Sequence, residues 1–172
     1  LDGDLGSTAD NATFSRTFVV TVNAVNDVPL LDALSDVTID EDAAEQTVNL
    51  AGIAAGGGES QPLAVTSSSS NTGLVPDPTV TYTSANVAGS LKFTPVSDQS
   101  GTATITVTVE DGGLDGDLGS AGDNDSTSRT FVVTVNAVND MPLLDALSNL
   151  TVDEDAAEQT VNLMGIAAGG GE

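Results

Sequence analysis

Polar and apolar residues alternate along two stretches of the chain, Thr102–Val109 (TATITVTV) and Arg129–Val135 (RTFVVTV). A period of two places Ala103, Ile105, Val107 and Val109 on one face of the first stretch and its threonines on the other. In the second it turns Phe131, Val133 and Val135 inward. Five shorter strand signals precede these, at Leu34–Ile39, Gln46–Leu50, Leu63–Ser67, Thr79–Thr83 and Ser90–Thr94, with a Gly-rich loop at Gly52–Glu59 after the second. Thr and Val dominate the periodic stretches, which favours strands. No helical period occurs anywhere. Seven strands within about 110 residues predict a two-sheet β-sandwich, with Phe93, Phe131 and Tyr82 as the aromatic part of its core.

The pattern also repeats. Residues 1–59 return at 114–172 without a gap, 49 of the 59 positions being identical. LDGDLGS stands at 1 and 114, SRTFVVTVNAVND at 15 and 128, and DEDAAEQTVNL at 40 and 153. Tandem copies this similar serve length and spacing more often than catalysis. The segment 133–144 (VTVNAVNDMPLL) holds a strand, a polar break and Pro142, which cannot donate to a ladder. Unit borders therefore fall near Asp27 and Asp140. On this reading 1–27 is the C-terminal part of a preceding repeat, 28–140 a complete repeat, and 141–172 the N-terminal part of the next. The chain opens inside the pattern, as an internal piece of a longer array would.

Composition narrows the function classes. Of 172 residues 39% are hydrophobic but only 3% aromatic, so the core is aliphatic. Asp and Glu number 26 against 3 Lys and Arg, a formal net charge of -23. Nucleic acids and anionic membranes repel such a surface, whereas cations are drawn to it. The chain has no Cys and no His. Thiolate or imidazole zinc sites, Cys or His nucleophile–base pairs and disulfide staples are thereby excluded. No apolar run reaches the roughly 20 residues of a membrane-spanning helix.

The acidic residues gather at predicted strand ends. Odd-numbered strands of a seven-strand sandwich run from the pole where the chain arrives (the N-terminal pole) to the pole where it leaves (the C-terminal pole). The first strand thus delivers Asp40, Glu41 and Asp42 to the C-terminal pole, the loop after the fifth delivers Asp98, and the last continues into Asn136, Asn139 and Asp140. At the N-terminal pole the sixth strand ends in Glu110 and Asp111 and the Gly-rich loop ends in Glu59. The preceding linker adds Asn23, Asn26 and Asp27; Glu172 repeats Glu59 in the next unit. Calcium takes six to eight hard oxygen ligands, whereas magnesium demands a tighter octahedron, so Ca2+ is the expected ion at both poles. Solvated turns are the competing reading, since Asp and Asn are ordinary turn residues. The pairs Asp115/Asp117 and Asp123/Asp125 lie in a loop that reads either as a flexible solvated one or as a metal binder, although D-G-D there lacks the closing Glu of an EF-hand. Ser/Thr-rich residues 66–73 read as a strand end and loop. Paired carboxylates can hydrolyse glycosides, but these sit in pole loops without a cleft or an aromatic platform, so no enzyme is expected.

The run N-A-V-N-D-x-P (136–142) resembles the D-x-N-D-N-x-P linker of cadherins. With GIAAGGGE-x-QPL it is more similar still to the bacterial cadherin-like repeats of giant RTX-type adhesins, across the complete unit and both flanks. That resemblance implies an immunoglobulin/cadherin-like Greek-key sandwich in tandem array, with calcium at the interdomain junctions. Asn136, Asn139 and Asp140 match the linker ligands, and Asp40, Glu41 and Asp42 the acidic cluster closing the first strand. Two departures imply fewer or weaker ions: Gly56, Gly57 and Gly58 stand where cadherins carry an aspartate pair, and Asn136 replaces an aspartate. The implied role is a calcium-rigidified extender of a secreted bacterial surface adhesin. Its partners would be neighbouring repeats held through Ca2+, with no nucleic acid, membrane insertion or small-molecule substrate. The alternatives are a glycan- or protein-binding adhesion module, and an acidic structural repeat of halophile type with no metal site.

Overall fold

The computed structural model describes residues 14–170. Seven strands lie in it: β1 (Val37–Asp40), β2 (Gln46–Ala51), β3 (Leu63–Ser69), β4 (Thr79–Thr81), β5 (Ala88–Phe93), β6 (Gly101–Asp111) and β7 (Ser126–Asn136). They form a four-stranded sheet in the order β1-β7-β6-β3 and a three-stranded sheet in the order β2-β5-β4. Those orders, G-F-C and B-E-D with the first strand added beside G, are those of an immunoglobulin-like Greek-key sandwich. All pairings are antiparallel except β1 with β7, which run parallel with Asp40 opposite Asn136.

The alternating stretches do what their period dictates. Ala103, Ile105, Val107 and Val109 of β6 and Phe131, Val133 and Val135 of β7 are buried between the sheets, with Leu63 of β3 in the same sheet and Leu50, Leu91 and Phe93 from the facing one. Tyr82 packs partly buried against this cluster. The outward residues of β6 are threonines, whose branched side chains fit a pleated surface and whose hydroxyls face water. Every expected strand is present, but β1 begins three residues later than the pattern suggested. Asp36 explains this: its Oδ1 accepts the Val132 amide at 2.7 Å, so a side chain takes the place of a ladder carbonyl. Leu34 still packs on the core from the preceding loop.

Among the described residues the segments flanking the sandwich carry no strand. Residues 143–167 nonetheless retrace the path of 30–54. The pair Leu30–Ala54 recurs as Leu143–Ala167. The Asp32 amide bond to Ala51 O recurs from Asp145 to Met164 O, each at 3.0 Å. Asp42 (φ 61°) and Asp155 (φ 64°) both take the left-handed conformation. Burial, however, does not recur. Phe131 is 2% exposed and its counterpart Phe18 86%; Leu50 is 1% exposed and its counterpart Leu163 55%. Local sequence sets the backbone path, whereas burial needs the remaining strands of a sandwich.

Candidate cation site at the border between units

The parallel pairing of β1 with β7 shapes the C-terminal pole. Because both strands end there side by side, Asn136 Nδ2 donates to Asp40 Oδ1 at 3.3 Å. One residue on, the Glu41 amide donates to Asn136 O at 2.9 Å. Glu41 Oε1 accepts the Val138 amide at 2.7 Å, and the Glu41 side chain is buried with 7% exposure. Glu41 thus fixes the path of the linker as it leaves β7. Asp42 then turns out of the strand with φ 61°, and Asp98, in the loop after β5, has φ 58°. The Asp98 amide donates to Asp42 Oδ1 at 3.3 Å.

Asp140, carried by the linker, completes the group. Asp42, Asp98 and Asp140 each offer a carboxylate oxygen, and these oxygens all lie within 4.8 Å of one another. Three anions at that spacing repel one another, a repulsion that water screens at the exposed Asp42 and Asp98 and that a shared cation would relieve. Asp140 Oδ2 is buried and has no hydrogen-bond partner among the described residues. No side-chain cation serves the group: Lys92 pairs with Glu45 at 2.7 Å, Arg129 Nε donates to Leu31 O at 3.1 Å, and Arg16 stacks on the Phe14 ring at 4.3 Å. A buried carboxylate oxygen without proton donor or counter-ion is costly. The group supplies only hard oxygens, the donor chemistry of a calcium site. The next unit's head also reaches it: a side-chain carbon at Gly170 would collide with Asp140 Oδ2 and lie 3.1 Å from Asp98 Oδ1.

The N-terminal pole is organised around amides. Asp111 is fully buried; its Oδ1 accepts Asn26 Nδ2 at 3.1 Å, the Gly113 amide at 3.0 Å and the Asp125 amide at 2.9 Å. Its Oδ2 has no partner among the described residues, nor has Gln61 Oε1. Asn26 Nδ2 also donates to Asp123 O at 3.0 Å, and Gln61 Nε2 donates to Asn26 Oδ1 at 2.6 Å and to Glu59 Oε2. The Asp27 amide donates to Glu59 Oε2 at 3.3 Å. A side-chain carbon at Gly57 would strike the Asp27 carboxylate, just as one at Gly170 would strike Asp140. Since Asn26-Asp27 and Asn139-Asp140 are the same linker in successive repeats, the two poles are two views of one border. The linker Asn serves the unit that follows, and the linker Asp reaches the acids of the unit before.

Not every expected residue joins these groups. Glu110 is opposite in the pleat to Asp111 and accepts from Asn124 Nδ2 at 3.4 Å, so at the end of β6 its side chain lies on the other face of the sheet from Asp111. Asn23 is exposed, three residues upstream of Asn26, and corresponds to Asn136 in the preceding repeat. Asn139 Nδ2 donates to Asp140 O at 3.0 Å. Glu172 lies outside the described residues. In the loop after β6, Asp115 Oδ1 accepts the Asp117 amide, Asp117 Oδ1 the Gly119 amide and Asp123 Oδ2 the Leu114 amide, all within 2.9 Å. Those acids cap their own loop. Sequence reasoning missed Gln61, which bridges Asn26 and Glu59, and took the glycines of 56–58 only as lost ligands. Gly57 and Gly170 are where the linker aspartate gains the room to sit.

No family model matches the chain, and no curated protein matches it. Among solved structures, a crystal structure of the titin domains z1z2 in complex with telethonin aligns with 72% of this chain and 55% of its own, at 12% identity and a TM-score of 0.37. The chain thus spans about half the length of that neighbour. So low a score carries no weight, and the immunoglobulin-like assignment stands on the strand order.

Proposed function

We propose that this chain is a calcium-rigidified extender segment of a secreted bacterial surface adhesin, with residues 28–140 as its repeat unit, related to the cadherin-like repeats of RTX-type adhesins. It has no catalytic role in this reading. One observation carries it: Asp42, Asp98 and Asp140, from three distant points of the sequence, bring carboxylate oxygens within 4.8 Å of one another beside Gly170 of the next unit.

Asp42, Asp98 and Asp140 would hold the ion at the C-terminal pole, with Asp111 Oδ2, Gln61 Oε1 and Glu59 as oxygen donors at the N-terminal pole. Calcium supplies the positive charge that the chain's own side chains do not bring there. Glu41 and the Asn136 carbonyl set the angle at which the linker leaves, so the ion would stiffen a path that is already drawn. Without it, repulsion among the three acids favours any linker conformation that separates them. An ion that binds only the docked arrangement stabilises it by mass action. Extracellular modules of this kind bind in roughly the 0.1–1 mM range, matched to calcium outside the cell.

Calorimetric titration of calcium into the chain is expected to give a saturable heat whose stoichiometry falls in Asp140→Ala, because the C-terminal pole is lost and the N-terminal pole is kept. A stoichiometry unchanged in the variant, or no heat for the wild type, rejects the C-terminal site. Scattering from several joined 28–140 repeats is expected to give a longer maximum dimension in calcium than in chelator; equal dimensions reject the rod.

A further inference from the structure

The chain enters the complete unit at one pole and leaves it at the other, yet the strands next to these two points lie side by side. β1 and β7 run parallel, paired from Val37 with Val133 to Asp40 with Asn136. A pull on residues 28 and 140 therefore drags the two strands past each other along their lengths. Ladder bonds lie across such a pull and share it, so they must give way together. Bonds of a pair peeled open from one end break one at a time. Side chains lengthen this seam beyond its ladder. Before β1, Arg129 Nε donates to Leu31 O at 3.1 Å, and Asp36 Oδ1 accepts the Val132 amide at 2.7 Å. After it, the Glu41 amide donates to Asn136 O at 2.9 Å, and Glu41 Oε1 accepts the Val138 amide at 2.7 Å. Four paired positions thus become a seam from Leu31 to Glu41.

From this geometry we infer a further function, load-bearing: the β1–β7 seam is a clamp that resists tension along the chain axis far better than tension across it. Pulling on residue 28 must also cross three backbone bonds before it reaches β1, two between Leu30 and Ala54 and one from the Asp32 amide to Ala51 O. On the other side of β7, β6 is paired with it from Ser126 to Val135, so β7 itself is anchored in the sheet. None of the seam's bonds uses a carboxylate of Asp42, Asp98 or Asp140, so the clamp holds without calcium. Resistance to a pull is set by the rate of unfolding and not by the equilibrium stability. Direction therefore matters: the same bonds, in the same fold, hold or fail according to how the load reaches them.

Single-molecule pulling in chelator tests it. The chain has no Cys, so introduced thiols serve as unique handles. Val28→Cys with Met141→Cys loads the seam along its length. Gln99→Cys with Met141→Cys places both handles at the C-terminal pole, where Gly101 and Val135 are partners, and peels β7 from β6 pair by pair. At equal force the axial pair is expected to unfold at least about tenfold more slowly than the lateral pair. Adding Asp36→Ala is expected to raise the axial rate at least about tenfold and the lateral rate less than about twofold. Asp36→Asn keeps an acceptor oxygen, as Asn149 does at the equivalent place, and is expected to retain the axial strength. Equal rates in the two directions would overturn the inference. So would an Asp36→Ala that leaves the axial rate unchanged or speeds both alike, or an Asp36→Asn that unfolds as fast as Asp36→Ala. With calcium absent throughout, the result stands apart from the fate of the cation site.

Discussion

Asp42 and Asp98 face each other with both backbones in the left-handed region, φ 61° and 58°, and the amide of Asp98 bound to the carboxylate of Asp42. Residues with a Cβ occupy that region at a cost, which Asn and Asp bear best after Gly. Two strained positions thus hold two like charges together, an arrangement that a cation would reward. Asp98→Asn keeps the shape and the backbone tolerance while removing the charge. Its melting temperature in chelator is expected to equal or exceed that of the wild type, and its calcium affinity to fall at least about tenfold, or about 1.4 kcal/mol. Asp98→Ala is expected to lose affinity as well, and about 1 kcal/mol of stability in chelator from the left-handed backbone. Thermal melts with and without calcium separate the two effects.

Asp111 tests the opposite pole. Its Oδ1 gathers three donors in a fully buried position, tying β6 to the linker through Asn26 and to its own following loop through Gly113 and Asp125. Asp111→Ala leaves those donors without their partner, and each buried orphan costs about 1–3 kcal/mol. A loss of about 3 kcal/mol is therefore expected in urea unfolding, with no calcium present. Asp111→Asn retains an acceptor oxygen and is expected to lose less.

Much of this molecule was legible in its sequence because its cues are local. The period of two in TATITVTV and RTFVVTV assigns an inner and an outer face without any knowledge of the partner strands. Counting strand directions then places Asp40, Asp98 and Asn136 at one pole. What stayed hidden depends on atoms distant in sequence. That Asp36 replaces a carbonyl in the ladder, and so delays β1, follows only once Val132 lies beside it. Glu110 and Asp111 are adjacent in sequence, and only the pleat separates them. Glycine at 57 reads as a missing ligand until the Asp27 carboxylate occupies the space its side chain would need.

Tyr82 gives the sandwich an alkaline limit. Its hydroxyl is buried without a hydrogen bond of good geometry, and burial raises its pKa above the ordinary 10.0, outweighing the lowering by the nearby Ala85 backbone. A folded state that holds its proton more tightly than the unfolded chain has its full stability below about pH 10 and loses it as pH rises beyond that. Urea midpoints are therefore expected to be flat up to pH 10 and to fall above it. Tyr82→Phe is expected to remove that fall and to cost little at neutral pH, because the lost hydroxyl had no bond of good geometry to lose. Tyr82 is the chain's one tyrosine, so phenolate absorbance follows this group alone.

Phe131 and Phe18 occupy equivalent places in identical sequence, SRTFVVTVNAVND, yet one is 2% and the other 86% exposed. If burial came from local sequence, truncating either would cost the same. It comes from the sheets on both sides: β7 is held between β1 and β6, and Phe131 sits opposite Ile105. Phe131→Ala is expected to destabilise the sandwich by about 3–5 kcal/mol, from lost transfer free energy plus the cavity left in a close-packed aliphatic core. Phe18→Ala is expected to change the unfolding free energy by less than about 0.5 kcal/mol. Urea titrations of the two variants decide the matter. Equal losses would mean that the first flank packs as part of the folded core, and that the border near Asp27 is misplaced.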